Sequence, residues 1–278
     1  MTGVEDELRE LAADLRAAVE DLLARGVREE GLDEGLEEVV AAPASVVAAP
    51  APVPMEAAVT PTPAPAPQWG AIAAAARARA DDGEGEAGLA RIRADLGDCQ
   101  RCKLCNGRTQ IVFGVGDGTA DLMVIGEGPG QQEDEQGEPF VGPAGQMLDK
   151  MLLNVIGLAR SQVYIANVVK CRPPGNRDPE PDEVAACKPF LERQIEAVQP
   201  KVILVLGRIA LEHVLGLKGI KKARGTEVRY LGRIPAIPTF HPAYLLRVPE
   251  DKRLTFEDLK LVKRRYEELG GKFAGKRT

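Results

Sequence analysis

Residues 121–157 read DLMVIGEGPGQQEDEQGEPFVGPAGQMLDKMLLNVIG. The run LMVI is short, apolar and closed by glycine, which predicts a strand buried on both faces. A glycine-rich loop follows, and PAGQMLDKMLLNVIG then carries the helical period with a proline where a first turn accepts one. Such a strand–turn–helix unit ordinarily cradles a phosphate on its loop amides. This loop carries Glu127, Glu133, Asp134, Glu135 and Glu138, which would repel one.

The same texture recurs downstream. VYIANVV, KVILVLG and RIPAIPTF are further apolar runs, separated by helical stretches near 143–156, 182–198 and 207–216 and followed by another near 255–269. Strands alternating with helices predict an α/β fold with a mostly parallel sheet covered on both faces. Ligands bind such sheets at the carboxyl ends of the strands. GEGPG, NVVKCRPPGN and FHPAY all fall there, so the pattern predicts that they converge on one site.

The rest of the chain sets boundaries. Of 278 residues with net charge −6, residues 1–40 hold 13 Asp and Glu against 4 Arg, while residues 99–278 hold 28 Lys and Arg against 22 Asp and Glu. An acidic pI therefore masks a basic C-terminal part, the electrostatic pattern of a polyanion binder. Leu8, Leu11, Leu15, Val19 and Leu22 space an amphipathic helix within residues 1–40, which could take a protein partner. Residues 41–70 are rich in alanine and proline, with 8 of 21 prolines between 41 and 67, and predict a disordered linker ahead of a domain over 71–278. The uncharged run from Val39 to Met55 is broken by four prolines, so no membrane span is expected, and the acidic start does not resemble a secretion signal. The expectation is a monomer in the cytoplasm, nucleoid-associated in a bacterium. Five cysteines in a reducing compartment favour metal ligation over disulfides. Cys99 and Cys102 form C-x2-C, and Cys171 and Cys187 lie further on; spacing alone leaves zinc and iron–sulfur both open and Cys105 ambiguous.

Taken together, GEGPGQQED, GEPFVGPAG, VYIANVVKCRPPGNR and FHPAYLLR, with C-x2-C ahead of them, closely resemble the family 4, iron–sulfur uracil-DNA glycosylases, from about Cys99 to about Tyr266. The resemblance implies a three-layer α/β/α sandwich around a four-stranded parallel sheet. It also implies a structural 4Fe-4S cluster on Cys99, Cys102, Cys171 and Cys187, with Cys105 outside the ligand set. The implied activity is hydrolysis of the N-glycosidic bond of flipped-out deoxyuridine in DNA, a step of base excision repair. Phe140 then suits the ring on which uracil stacks, and Asn167 has the amide donor and acceptor that match its O4 and N3–H edge. Gly128 and Asn176 join them as substrate-binding residues. His241 resembles the family's donor to uracil O2, whereas His213 sits in a helical run and reads as structural. Where the classical enzymes have GQDPY, this chain has Gly126 to Gly130 with Gly128 in place of the water-positioning aspartate. Glu133 is expected to take that task, with Glu127 and Asp134 as alternates. Leu245 is expected to fill the gap left by the flipped base, flanked by Tyr244 and Arg247, with Arg172, Arg177 and Lys170 on phosphates.

Two rival readings remain in view. A non-hydrolytic or covalently linking relative would carry an extra histidine after the asparagine strand, and VVKCRPPGNRDPEP has none. A nucleotide-phosphate binder would carry G-x-x-x-x-G-K-[ST], which is absent.

Overall fold

A computed structural model describes residues 83–273, and the expectations for residues 1–40, 41–70 and 71–82 lie outside them. The order of elements is helix α1 (Gly85–Leu96), strand β1 (Val115–Gly116), β2 (Leu122–Gly126), α2 (Gln131–Gln136), α3 (Pro143–Met151), β3 (Tyr164–Asn167), α4 (Pro181–Val198) and β4 (Val202–Leu206). There follow α5 (Gly207–Leu215), α6 (Ile220–Ala223), β5 (Val228–Tyr230), β6 (Ile234–Thr239), α7 (Pro242–Arg247) and α8 (Lys252–Glu268).

One sheet runs in the order β1-β3-β2-β4-β6-β5. Its centre is the expected set of parallel strands, β3, β2, β4 and β6. Two short antiparallel strands, β1 on β3 and β5 on β6, extend it to six. Their two and three residues are too few to show a period of two, so the sequence pattern does not disclose them.

Alternation along each strand builds the three layers. Met123 and Ile125 of β2 face a core formed with Leu89 and Ile92 of α1 and with Phe190, Leu191 and Ile195 of α4. Leu122 and Val124 face the opposite core, with Leu148 of α3, Leu245 of α7 and Leu259 and Val262 of α8. Every residue of β2 and β4 is buried, as a parallel sheet covered on both sides requires. The chain leaves β2 toward β3 and leaves β4 toward β6, so the connections diverge between β2 and β4. A crevice opens there at the carboxyl ends of the strands.

Candidate active site

That crevice holds a cavity of about 400 Å³. Glu127, Gly128, Glu133, Phe140, Asn167, Asn176, His241, Tyr244 and Arg247 all line it, so the loops after β2, β3 and β6 do converge. Pro173, Asp178 and Ala243 also line it and were not anticipated.

Close approach of these elements depends on glycine. A Cβ on Gly126 would stand 2.5 Å from both Asn167 Oδ1 and Phe140 Cζ, so only a bare Cα lets the Asn167 amide and the ring meet beneath the loop. Gly207, at φ +87°, opens α5 where a Cβ would press on His241 Cβ at 2.9 Å. The glycine ending KVILVLG was the available signal for it. Phe140 itself holds φ +55°, a costly conformation for a bulky residue. Arg160 secures it by donating to the carbonyls of Pro139 and Phe140, the latter at 2.9 Å.

Asn167 ends β3 almost wholly buried, and its amide Oδ1 has no hydrogen-bond partner. A buried, unpartnered acceptor on a residue that lines the cavity marks Asn167 as a candidate ligand contact. His241 caps α7: its Nδ1 accepts from Ala243 N at 3.2 Å, which leaves the hydrogen on Nε2. Burial, aided by the nearby Arg247 charge and opposed by Glu133, pushes the imidazole down to about 4, so it is neutral at physiological pH. Its ring stacks on Phe140 with centroids 5.5 Å apart. His213 lies on α5 and does not line the cavity.

The carboxylates divide their tasks unlike the sequence expectation. Glu133 Oε1 accepts from Val141 N and Gly142 N, both at 3.0 Å, and Oε2 accepts from Gly130 N at 3.1 Å. It is thus committed to fastening the α2 start to the Phe140 loop. Asp134 is buried and accepts from Thr109 N at 2.9 Å, a tie away from the cavity. Glu127 faces the cavity, and burial, with the Asp178 charge adding to it and Arg208 opposing, raises its carboxyl to about 7.

The expected DNA contacts also need correction. Leu245 is 1% exposed in the core between sheet and helices and is not available as a wedge; its neighbour Leu246 is 43% exposed. Lys170 is fully buried and cannot reach a phosphate. Arg177 is tied to Glu183 by bonds of 2.8 and 2.6 Å. Arg172 stays outside the cavity lining, donating to Asn176 Oδ1 at 2.8 Å, while Tyr244 donates to Asp251 Oδ2 at 2.6 Å. Arg247 is exposed at the cavity mouth.

Behind the sheet, Cys99, Cys102, Cys171 and Cys187 line a second cavity together, and Cys105 does not. Among the described residues no group of three or more His, Cys, Asp or Glu is closed around a single metal ion. Burial raises the thiol pKa of Cys102, Cys171 and Cys187, and the neighbouring cysteines add to it. N–H groups already point at three of the sulfurs, from Arg101 to Cys99 at 3.4 Å, Arg108 to Cys171 at 3.5 Å and Lys170 N to Cys187 at 3.2 Å.

A family model described as the Uracil DNA glycosylase superfamily matches residues 113–263. The chain is 43% identical over 183 residues to the type-4 uracil-DNA glycosylase of Sulfurisphaera tokodaii, covering 63% of this chain and 83% of that one. It is 47% identical over 169 residues to the type-4 enzyme of Thermotoga maritima, covering 59% and 88%. A type-5 uracil-DNA glycosylase of Pyrobaculum aerophilum is 34% identical over 167 residues, covering 54% and 72%. With the sheet order, the strand-end cavity and these matches in agreement, the chain belongs to the uracil-DNA glycosylase superfamily, among its type-4 members.

Proposed function

We propose that the cavity receives a uracil nucleotide turned out of DNA and that the protein hydrolyses its N1–C1′ bond, leaving an abasic site. The protein is a uracil-DNA glycosylase, a hydrolase of DNA repair. The observation that carries the site assignment is the buried, unpartnered Asn167 amide oxygen in the same cavity as the neutral His241. Asn167 Oδ1 would accept from uracil N3–H while its amide nitrogen donates to O4; cytosine presents the opposite polarity on both atoms. Phe140 supplies the apolar face of the slot.

When the bond breaks, its electron pair passes to uracil N1 and negative charge spreads to O2. His241 Nε2–H donates there, and being neutral it does not require acid conditions. A water then adds its oxygen to C1′ and gives its proton to a carboxylate. Glu127 is assigned that role in place of Glu133, because Glu133 already holds three backbone N–H groups. On the exposed surface, Leu246 replaces the buried Leu245 as the apolar group facing DNA, beside Arg247, which keeps its expected place.

The four cysteines would hold a 4Fe-4S cluster, a reading supported by their lining one cavity and by the resemblance to type-4 enzymes. When bound, such a group supplies a staple between the segment before β1, the loop after β3 and α4. Five free thiols favour the reducing cytoplasm.

The test is single-turnover cleavage of a uracil-containing duplex, read after alkali, with a binding titration alongside. Wild type is expected to cut at uracil and spare thymine. His241→Ala should lose ~10² to 10³ in rate with affinity little changed. An unchanged rate with weakened binding would reduce His241 to a docking residue. Iron and sulfide in anaerobically purified protein are expected; one stoichiometric zinc would refute the cluster.

A further inference from the structure

Asn167 lines the cavity with its side-chain Oδ1 buried and unpartnered, so the aim of its amide depends on its backbone. That backbone stands where the sheet stops. The β2 ladder ends at Gly126↔Asn167, after which Val168 N and Val169 N reach Gly126 O and Glu127 O at 3.0 and 3.1 Å. On the other side β1 pairs only Tyr164 and Ile165, leaving the Asn167 carbonyl beyond its reach.

Lys170 fills that place. Its Nζ donates to Asn167 O at 2.8 Å and to Gln194 Oε1 at 2.6 Å, with the whole residue 1% exposed. Gln194, also buried, is braced in turn, donating through Nε2 to Phe113 O at 3.0 Å and to the Tyr164 hydroxyl at 3.1 Å. The Lys170 backbone is equally engaged: Val112 N donates to its carbonyl at 2.8 Å and its own N–H donates to Cys187 Sγ at 3.2 Å. Burying an amine so far from water is costly, and methionine would fill a similar volume without that cost. Stability alone does not account for a lysine here.

The geometry points to Lys170 as a positioning residue for base selection: by pinning the Asn167 carbonyl it fixes the peptide that aims the Asn167 amide, and it braces the pocket against α4. This rests on Asn167 as the base reader. Without the donor, the peptide after Asn167 is held on one side only, by Val168 N on Gly126 O, and the amide meets uracil in a looser orientation, so rate and choice of base fall together.

A double-mutant cycle in the full-length protein tests it, using single-turnover rates on uracil duplex and the uracil-to-cytosine rate ratio. Lys170→Met should slow uracil cleavage ~10- to 100-fold and narrow the ratio, yet change the rate less than ~2-fold when Asn167 is already alanine. Effects that multiply in the double variant, with the ratio unchanged in Lys170→Met, would overturn the positioning role. Should Lys170→Met not fold, Gln194→Met serves, since it frees Nζ on one side; a smaller loss of the same kind, again vanishing without Asn167, is expected. Asn167→Ala alone separates the two ideas: full uracil rate and selectivity in that variant would sink the reading of Asn167 itself. Lost selectivity there, combined with multiplying Lys170 effects, would sink only the role of Lys170.

Discussion

Glu127 concentrates the conflict between stability and chemistry at a single residue. Its carboxyl titrates near 7 in the folded protein instead of 4.5, chiefly because burial disfavours its charge. The folded state therefore holds a proton that the unfolded chain has released between pH 4.5 and 7. The stabilisation that this proton represents is complete below 4.5 and lost as pH rises through 7. Above that, the ionised carboxylate costs about 1 to 3 kcal/mol, after allowance for water in the open cavity. Glu127→Gln is expected to melt several degrees higher than wild type at pH 8 and at the same temperature at pH 4, by thermal scans at both. The wild-type cleavage rate should rise through pH 7 and level off, as the carboxylate becomes able to take the water's proton. In the variant the rate should be flat with pH and lower by ~10² to 10⁴. A pH profile unaltered by the substitution would remove Glu127 from the chemistry.

At the level of elements, the Phe140 loop is held by α2 and α3 from both sides. Glu133, the third residue of α2, reaches back to Gly130 N and across to Val141 N and Gly142 N. G-x-x-E at the start of a helix has the spacing of a capping box, which is the place Glu133 takes. Charge-assisted hydrogen bonds contribute roughly 1.5 to 3 kcal/mol each when buried, and these are partly buried. Glu133→Ala is thus expected to lower stability by about 2 to 4 kcal/mol in urea titration. It should raise KM as Phe140, strained at φ +55°, loses its support. Glu133→Gln should fall between, its Oε1 still accepting from Val141 and Gly142. If Glu133→Gln instead abolished kcat at unchanged stability, Glu133 would be the proton acceptor after all.

For the molecule as a whole, α1 belongs to the catalytic body. Leu89, Ile92 and Leu96 are buried against the sheet and α4, and Glu86 Oε1 accepts from Gly118 N at 2.7 Å. A chain starting at Gly88, where the first family motif lies downstream, would cut into this helix. Starting at residue 71 is expected to retain the melting temperature and activity of the full chain. Starting at residue 97 should remove on the order of 5 kcal/mol of apolar burial, a large part of a domain's net stability, and leave little folded protein. Thermal unfolding and single-turnover cleavage of the two truncations check this. Because residues 1–40 carry a strong negative charge, the chain from residue 71 should also bind DNA more tightly at low salt, with the advantage fading as salt rises.

The parallel sheet, its helices and the place of the pocket were legible because they follow from local repetition: buried apolar runs of strand length, helical spacing between them, and glycine-rich turns at predictable ends. Asn167, Phe140 and His241 became candidates through the family resemblance of the motifs that carry them, and the fold brings all three to one cavity. Direction was not legible. In PAYLLR, six residues are too few to show which of Leu245 and Leu246 faces the core, and only packing against the sheet and α8 decides it. Lys170 reads as a surface charge until the end of β3 and α4 close over it. Glu133 and Glu127 are chemically alike in sequence and both line the cavity; backbone donors from two segments, Gly130 and Val141–Gly142, engage Glu133 alone. The sequence by itself determined which elements form and which loops meet. Tertiary structure alone decided which polar groups are already satisfied, because a hydrogen bond between distant segments exists only once the chain has brought them together.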